Sequence, residues 1–210
     1  MRRKSKSSGR WLSKHEQDEY VLRARKDGYR SRASYKLLEM DQKFELFRPG
    51  AVVVDLGASP GGWMQIAAKE CGPEGFVVGL DILDLRPIAG TSFIKGDFTQ
   101  EKVLNELTSL LQERAVDLVI SDMAPNLSGK REIDQPAAIY LAELALEFAR
   151  SALASGGTLL LKSFEGEGIG RLREVFRSNF GQFSNFKPEA SRKDSREIYL
   201  IGRGLKTRFY

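Results

Sequence analysis

The fold is decided by residues 52–63, which read VVVDLGASPGGW. A short apolar run predicts a buried strand, the glycines predict a tight turn, and the residues from Trp63 onwards predict a helix. Ligands of open α/β sheets bind outside the carboxyl ends of strands, where such a turn lets the backbone approach them. Ser59 and Pro60 stand where a dinucleotide fingerprint has its second glycine and the neighbour of that glycine. The turn therefore favours a ligand without a pyrophosphate over a dinucleotide.

Downstream of this turn, short apolar runs alternate with amphipathic stretches. Strands are predicted at residues 51–56, 75–80, 92–95, 116–121, 158–163, 183–187 and 198–202, and helices at 63–69, 101–114, 136–153 and 170–180. This alternation predicts a Rossmann-like α/β fold, with a seven-stranded, mostly parallel sheet and helices on both faces. No helix separates the last two strands, so the final strand is expected to be antiparallel. Upstream, an irregular helix is predicted within residues 11–25, and Ser31 is expected to cap a second helix that runs through Met40.

Positive charge is concentrated at the amino terminus. Residues 1–36 contain 12 Lys or Arg and 4 Asp or Glu, whereas the whole chain contains 33 and 28. The remainder is therefore mildly acidic, and the basic segment is typical of a site for a polyanion, although a solvated tail has the same composition. Trp11, Tyr20 and the run RSRASYK at 30–36 favour nucleic acid. We expect a partly disordered RNA-binding extension at residues 1–30 and a single domain at 31–210.

Composition narrows the classes of protein and site. Cys71 and His15 are the only cysteine and histidine, which argues against a disulfide framework, a cysteine-built zinc site or a His-ligated metal, and we expect no metal. Apolar residues form 41% of the chain, yet no apolar run is long enough to span a bilayer. The basic amino terminus lacks the apolar stretch of a secretory signal. We expect a monomer in the cytoplasm, with no membrane partner; a mitochondrial matrix location is the alternative.

Three predicted strands end in acids. Asp81 follows Gly61 by 20 residues, where an acid receives two ribose hydroxyls. Asp97 ends the third strand, where it could accept from an adenine amine while Phe98 packs on the base; the alternative role of Asp97 is a helix N-cap. Asp122 follows the fourth strand. Three acids at successive strand ends suit a nucleoside that carries a positively charged group.

Topology also gathers candidate catalytic groups. Lys162 closes the fifth strand in LLLKSF, and Glu197 opens the last one. If that last strand is antiparallel, its beginning lies at the carboxyl edge of its neighbours, beside Asp122 and Lys162. No such argument places Lys36, which precedes the sheet.

Several motifs extend over nearly the whole chain. They are RWL at 10–12, RSRA at 30–33 with Lys36, DLGA at 55–58, PGGW at 60–63, SDMAPN at 121–126, GEG at 166–168 and REIY at 196–199. With them the sequence resembles the FtsJ-like family (FtsJ/RrmJ, or RlmE) of ribosomal RNA 2′-O-methyltransferases. Ser59 and Ser163 depart from the commonest residues of that family.

This resemblance implies a class I methyltransferase that uses S-adenosylmethionine and releases S-adenosylhomocysteine. It implies a catalytic tetrad of Lys36, Asp122, Lys162 and Glu197. The cofactor-binding residues that it implies are Asp55, Gly57, Pro60, Gly61, Gly62, Trp63, Asp81, Asp97, Phe98 and Asp122. Arg10, Arg30 and Arg32, with Lys36, are candidate RNA contacts. The implied acceptor is a uridine ribose in 23S-type ribosomal RNA, presented within the assembled large subunit.

A methyl transfer of this kind depends mainly on alignment of the hydroxyl oxygen with the methyl carbon, and the hydroxyl must lose its proton. We expect Lys162 to take or orient that proton, Asp122 and Glu197 to hold the Lys162 ammonium, and Lys36 to steady the ribose or a phosphate. Base and orienter both stay open at this point. Alternatives are the same reaction on transfer RNA or capped messenger RNA, a non-catalytic RNA-binding assembly factor, and a nucleotide oxidoreductase. Cytosine C5 methylation needs a nucleophilic cysteine, and Cys71 falls in a helix-to-strand turn away from the expected site.

Overall fold

The computed structural model describes residues 18–207. The expectations for Arg10, Trp11 and His15 lie outside the described residues, as does most of the predicted amino-terminal extension. Within residues 18–207, no helix is both long and apolar enough to cross a membrane. The same residues contain no group of three His, Cys, Asp or Glu placed to hold a metal ion.

A seven-stranded sheet organises the described residues. Its strands are β1 (Val52–Leu56), β2 (Phe76–Asp81), β3 (Thr91–Lys95), β4 (Val116–Ser121), β5 (Leu153–Phe164), β6 (Phe180–Phe186) and β7 (Glu197–Leu205). Their order across the sheet is β3-β2-β1-β4-β5-β7-β6. The pairs among β1 to β5 are parallel, and β7 runs antiparallel to both β5 and β6. The predicted mostly parallel sheet with an antiparallel last strand is confirmed.

Helices cover both faces of this sheet. They are α1 (Glu19–Asp27), α2 (Ala33–Phe44), α3 (Gly62–Cys71), α4 (Glu101–Leu111), α5 (Arg131–Ala152) and α6 (Ile169–Asn179). Successive strand residues point to opposite faces, so Val53 packs in the cluster formed with α2 and α3, whereas Val54 packs in the cluster formed with α4, α5 and α6. One apolar layer therefore packs on each face of the sheet, as in other α/β domains.

Several boundaries differ from the sequence prediction by up to five residues, and two strands begin earlier than predicted because of their pairing. β5 begins at Leu153, five residues before the predicted strand, because Leu153 already pairs with Val116 across a register shift in β4. β6 begins at Phe180, because Phe180 pairs with Leu205 of β7. Both extensions depend on cross-strand pairing, which cannot be predicted from the hydrophobic periodicity of one segment.

The amino-terminal described helix is tied to the domain. The Asp18 side chain caps α1 by accepting from the Tyr20 amide, and α1 ends at Gly28 in the left-handed conformation with φ 78°. Ala24 of α1 packs in a small cluster with Tyr35 of α2. The N-cap of α2 is Arg32 rather than Ser31, although the Ser31 hydroxyl still accepts from the Ala33 amide at 3.1 Å. The expected capping contact is present one residue earlier than a standard cap.

The carboxyl ends of β1 to β5 and the first residue of β7 meet at one edge of the sheet, which we call the rim. Register places Lys162 of β5 directly opposite Tyr199 of β7, and Phe164 opposite Glu197. This register confirms that the rim gathers residues from both ends of the sequence.

Candidate active site

A cavity of about 360 Å³ opens at the rim between the ends of β1, β2, β3 and β4. Its lining includes five of the predicted cofactor-binding residues, namely Gly57, Asp81, Asp97, Phe98 and Asp122, together with Ser59 of the glycine turn. Met123, Ala124, Pro125 and Asn126 close it on the β4 side. Its size is within the range of small-molecule sites, at roughly 300–1,000 Å³. The three predicted strand-end acids therefore face one cavity, which we call the nucleoside cavity.

The glycine turn after β1 is needed for close approach of the backbone. Gly57 has φ 81°, and a Cβ placed on it would lie 2.8 Å from Cγ of Met123. Gly62 is close to α2 in the same way, because a Cβ placed on Gly62 would lie 2.5 Å from the Ser34 hydroxyl oxygen. These glycines let the turn pass between β4 and α2 without displacing either.

Asp81 is oriented by the backbone around it. Its Oδ2 accepts from the Ser59 amide at 2.9 Å, and its Oδ1 accepts from the Leu83 amide at 2.8 Å. Each carboxylate oxygen can accept more than one hydrogen bond, so both keep acceptor capacity on the cavity side. The carboxylate is thus held in a fixed position for two further donors.

Asp97 forms a local turn and does not cap the following helix. Its Oδ1 accepts from the amide and hydroxyl of Thr99, at 2.9 and 2.8 Å, and these bonds lower the pKa of the carboxyl. The N-cap of α4 is Gln100, so the N-cap alternative for Asp97 is wrong. Phe98 both lines the cavity and packs edge-on against Phe148, with ring centroids 5.8 Å apart.

Other predicted cofactor residues lie behind the cavity wall. Within the described chain, the lining does not include Asp55, Pro60, Gly61, Gly62 or Trp63. The Trp63 indole is buried and donates to the Ala33 carbonyl at 2.8 Å. Through this bond and its burial, Trp63 holds α3 against α2.

Asp55 is a buried acid beneath the turn. It is fully buried, and neither carboxylate oxygen has a hydrogen-bond partner. Burial raises the pKa of Asp55 well above its usual value, and the nearby carboxylates of Asp122 and Asp81 raise it further. The raised pKa favours the protonated, uncharged form of this side chain.

The four predicted catalytic residues converge. Nζ of Lys162 donates to Oδ1 of Asp122 at 2.8 Å and also to the backbone carbonyl of Asp122. Nζ of Lys36 lies 2.6 Å from Oε1 of Glu197. Both lysine side chains are more than nine-tenths buried. Lys36, which topology alone left unplaced, is brought to the rim by the packing of α2 on the sheet.

One arrangement differs from the expectation. Glu197 was expected to hold the Lys162 ammonium, but its ion pair within residues 18–207 is with Lys36. The cause is register, because Lys162 faces Tyr199 across the strands and Glu197 lies two residue pairs further along, opposite Phe164. The tetrad is thus two ion pairs, Lys162 with Asp122 and Lys36 with Glu197.

Tyr199 joins these pairs and was missed from the sequence. Its hydroxyl donates to Oδ1 of Asp122 at 2.8 Å and accepts from Nζ of Lys36 at 3.3 Å. Its side chain is fully buried, and its ring centroid lies 5.9 Å from that of Trp63. Burial raises the pKa of the Tyr199 hydroxyl, and the charges of Asp122 and Glu197 raise it further, so the hydroxyl keeps its proton.

Asp122 stays ionised at the centre of this network. Burial by itself would raise the pKa of Asp122, but the ammonium groups of Lys162 and Lys36 and the hydrogen bonds from Lys162 and Tyr199 outweigh it. The pKa consequently lies below its usual value. Asp122 is also part of the cavity lining, so the tetrad reaches the nucleoside cavity directly.

The arginines predicted to bind RNA contact the protein itself. The Arg30 guanidinium donates to the carbonyls of Arg86 and Pro87, at 2.5 and 2.9 Å, and closes the loop after β2 onto the glycine turn. Arg32 pairs with Asp18 at 3.0 Å and donates to the Ala190 carbonyl at 2.8 Å. Their contacts give both side chains a structural role, and their contact with RNA stays a prediction.

Comparison with known proteins gives a family and several named relatives. The family model described as FtsJ-like methyltransferase matches residues 29–205. A protein of Chromohalobacter salexigens named ribosomal RNA large subunit methyltransferase E is 54% identical over 201 residues, which are 96% of each chain. A protein of the same name from Chromobacterium violaceum is 53% identical over 97% of this chain and 99% of its own.

Solved structures resemble the same fold. A Plasmodium falciparum protein described as a ribosomal RNA methyltransferase superposes with a TM-score of 0.77 at 27% identity, over 86% of this chain and 100% of that one. A Clostridium thermocellum protein, at 18% identity and a TM-score of 0.54 over 81% of this chain and 97% of its own, supports the fold alone. With the family model extending over the rim, the sheet and every strand described above, the chain belongs to the FtsJ-like methyltransferase family.

Proposed function

We propose that this protein transfers a methyl group from S-adenosylmethionine to the 2′-hydroxyl of a uridine in large-subunit ribosomal RNA. The observation that carries the proposal is the junction of two parts of the rim. Asp122 lines the nucleoside cavity and also forms the centre of the network that joins Lys36, Lys162, Tyr199 and Glu197. A hydroxyl bound at that network would lie next to a group bound in the cavity.

The cavity suits the chemistry of S-adenosylmethionine. Asp81 would hold two ribose hydroxyls, since its carboxylate is already fixed by the Ser59 and Leu83 amides. Asp97 would accept from the adenine amine. When bound, the cofactor supplies an electrophilic methyl carbon on a positively charged sulfur. The three acids of the cavity lining, Asp81, Asp97 and Asp122, favour a positively charged ligand.

Lys162 is the group that meets the acceptor hydroxyl. Its Nζ already donates two hydrogen bonds, both to Asp122. An ammonium has three donors, so the third would point an N–H at the 2′-oxygen and orient it. A neutral amine has two donors and one lone pair, so the same geometry would present the lone pair to the hydroxyl proton as a general base.

The remaining residues position Lys162 and the sugar. Asp122 fixes the Lys162 nitrogen through two acceptors, and Tyr199 keeps Asp122 at a set distance from Lys36. Lys36, neutralised by Glu197, would steady the ribose or a neighbouring phosphate. Catalysis then depends on alignment of the hydroxyl oxygen with the methyl carbon and on removal of one proton.

The acceptor is assigned from the relatives. Two proteins that are 53–54% identical to this chain carry names that state the ribosomal large subunit. The basic residues at 1–36 would contribute to binding of the RNA. We further propose a monomer that acts on the assembled subunit in the cytoplasm.

The test is methyl transfer from labelled S-adenosylmethionine to undermethylated large subunits, protein-free ribosomal RNA, transfer RNA and messenger RNA, followed by mapping of 2′-O-methyl sites. We expect one modified uridine, with faster transfer to subunits. Labelled transfer RNA or messenger RNA, with unlabelled ribosomal RNA, would refute the assigned acceptor.

Lys162→Ala tests the assigned role of the lysine. We expect loss of transfer with unchanged cofactor affinity, whereas Lys69→Ala, a change at an exposed lysine of α3, should leave the rate as it is. Wild-type turnover by the Lys162 variant would reduce that residue to a structural one. A pH–rate profile separates the two chemical states, because a general base gains activity as pH rises and an ammonium orienter loses it at high pH.

A further inference from the structure

A second cavity lies at the rim on the side of α5. It has a volume of about 260 Å³. Its lining residues are Leu127, Gly129, Arg131, Asp134, Gln135, Phe164, Ser195 and Arg196. The cavity is smaller than the roughly 300–1,000 Å³ of sites that enclose a whole small ligand, so it suits one unit of a longer chain. We call it the flanking cavity.

The flanking cavity continues from the tetrad. Arg196 directly precedes Glu197, and Phe164 is the β5 residue paired with Glu197. On the other side, Leu127 follows Asn126, which lines the nucleoside cavity. A polymer whose reacting sugar lies at the tetrad would therefore have its neighbouring unit within reach of the flanking cavity.

Cations and apolar groups both face this cavity. Arg131 and Arg196 are exposed, and Leu127 is 61% exposed. Arg196 donates to the Glu165 carbonyl at 3.1 Å, which uses only part of the five donors of a guanidinium. Guanidinium forks bind phosphate well, and apolar side chains suit the face of a base.

Asp134, the acid that lines the flanking cavity, already accepts three hydrogen bonds from the loop beside it. Oδ1 of Asp134 accepts from the amide and hydroxyl of Ser128, at 2.7 and 2.8 Å, and Oδ2 accepts from the Gly129 amide at 3.0 Å. These bonds, the backbone bond from Ser128 first, lower the pKa of Asp134, with a smaller contribution from Arg196. Asp134 thereby fixes the loop between β4 and α5, and its single negative charge is outweighed by the two arginines of the cavity lining.

The floor of the cavity is held in place by Gln135. Its side chain is 4% exposed, and Nε2 donates to the carbonyls of Phe164 at 3.0 Å and Glu167 at 3.1 Å. These bonds join α5 to the loop after β5, so the two arginines and Phe164 are carried on connected elements. The cavity is therefore a preformed part of the rim.

We propose that the flanking cavity binds the nucleotide next to the acceptor in a single-stranded stretch of RNA. Arg131 and Arg196 contact its phosphate, and Leu127 and Phe164 contact its base. The proposal rests on the proposed function, because that function places the acceptor sugar at the tetrad. Single-stranded RNA is the form in which bases are free to leave the stack and enter such a cavity.

Salt dependence of RNA binding tests the phosphate contacts. Each phosphate contact to single-stranded nucleic acid contributes about 0.7 to the slope of log K against log salt concentration. With protein-free large-subunit ribosomal RNA, we expect Arg131→Ala and Arg196→Ala each to reduce the slope by about 0.7, and the double variant by about 1.4. Arg131→Lys and Arg196→Lys keep the charge and should keep the slope.

The matched control is Arg48→Ala. Arg48 is also exposed, but it pairs with Asp117 at the opposite edge of the sheet, at 2.7 Å, and should leave the slope unchanged. We also expect the double variant to show a raised KM for RNA, an unchanged cofactor affinity and an unchanged unfolding temperature. An unchanged slope on protein-free RNA overturns the proposal, and weaker binding to assembled subunits alone would assign the cavity to a protein partner instead.

The two proposals fail separately. If the wild-type protein transfers no methyl group to RNA but the arginine variants still reduce the salt slope, the proposed function is wrong and the RNA contact stands. If transfer occurs and the slope does not change, the function stands and the flanking cavity has another use.

Discussion

Replacing Tyr199 by Phe would remove one oxygen from the centre of the tetrad and leave the ring packed beside Trp63. The hydroxyl bridges Asp122 and Lys36, and its full burial gives solvent no route to replace it. Hydrogen bonds to charged groups contribute about 1.5–3 kcal/mol. The free energy of unfolding should therefore fall by about that amount, which lowers the midpoint by roughly 3–12 °C in a domain of this size.

The same change should slow methyl transfer. If the lost free energy also appears in the transition state, because Asp122 and Lys36 are no longer held together, the rate falls between about tenfold and about 150-fold. Thermal unfolding and single-turnover transfer from labelled S-adenosylmethionine to undermethylated subunits measure both effects. Tyr35→Phe is the control, since its hydroxyl donates to Asp27 at 2.7 Å away from the rim, and it should lose stability without losing rate. Wild-type turnover by Tyr199→Phe would refute the bridging role.

Three further changes test the cavity and the turn. Asp81→Ala should weaken binding of S-adenosylmethionine about tenfold to a hundredfold by calorimetry, because two charged acceptors are lost; unaltered affinity would exclude Asp81 as the ribose ligand. Gly57→Ala should lower the free energy of unfolding by about 1–3 kcal/mol, since φ is 81° and the new methyl meets Met123, and a denaturant titration with no shift would contradict that clash. Asp55→Asn should change the pH dependence of the unfolding temperature. Because the pKa of Asp55 is raised in the fold, unfolding of the wild type releases a proton above about pH 4, and its stability declines as pH rises. The unfolding temperature of the variant, measured without cofactor, should therefore rise relative to that of the wild type from about pH 4 to about pH 8. If the difference in unfolding temperature between the variant and the wild type stays constant with pH, Asp55 is ionised in the folded protein.

The cavity acids could be predicted because strand ends are readable from sequence. A polar residue after an apolar run marks the end of a strand, and parallel strands place their carboxyl ends at one edge. Asp81, Asp97 and Asp122 each follow such a run, and all three line the nucleoside cavity. The same logic placed Lys162 and Glu197 at the rim, once the last strand was taken as antiparallel.

The internal pairing of the tetrad could not be predicted, because it depends on register and helix packing. Tyr199 lies in an apolar strand and reads as a core residue until β5 and β7 are aligned, which sets it opposite Lys162. Lys36 reaches Glu197 only through the packing of α2 on the sheet. The contacts of Arg30 and Arg32 could not be predicted for the same reason. Arg30 donates to the carbonyl of Arg86, 56 residues away, and Arg32 to that of Ala190, 158 residues away, so neither contact leaves a local signal in the sequence.

The charges at the rim bear on how the proposed RNA acceptor would be bound. Asp122 and Glu197 are each matched by a lysine, whereas Asp81 and Asp97 line the nucleoside cavity with no cation beside them in its described lining. The cavity is consequently negative, which favours a cofactor with a positive sulfur and repels phosphate over distances of about one Debye length, roughly 8 Å at physiological salt. In the proposed reaction, an acceptor RNA would approach the methyl group only if cations beyond the tetrad offset that repulsion, and the exposed arginines of the flanking cavity are placed to supply them.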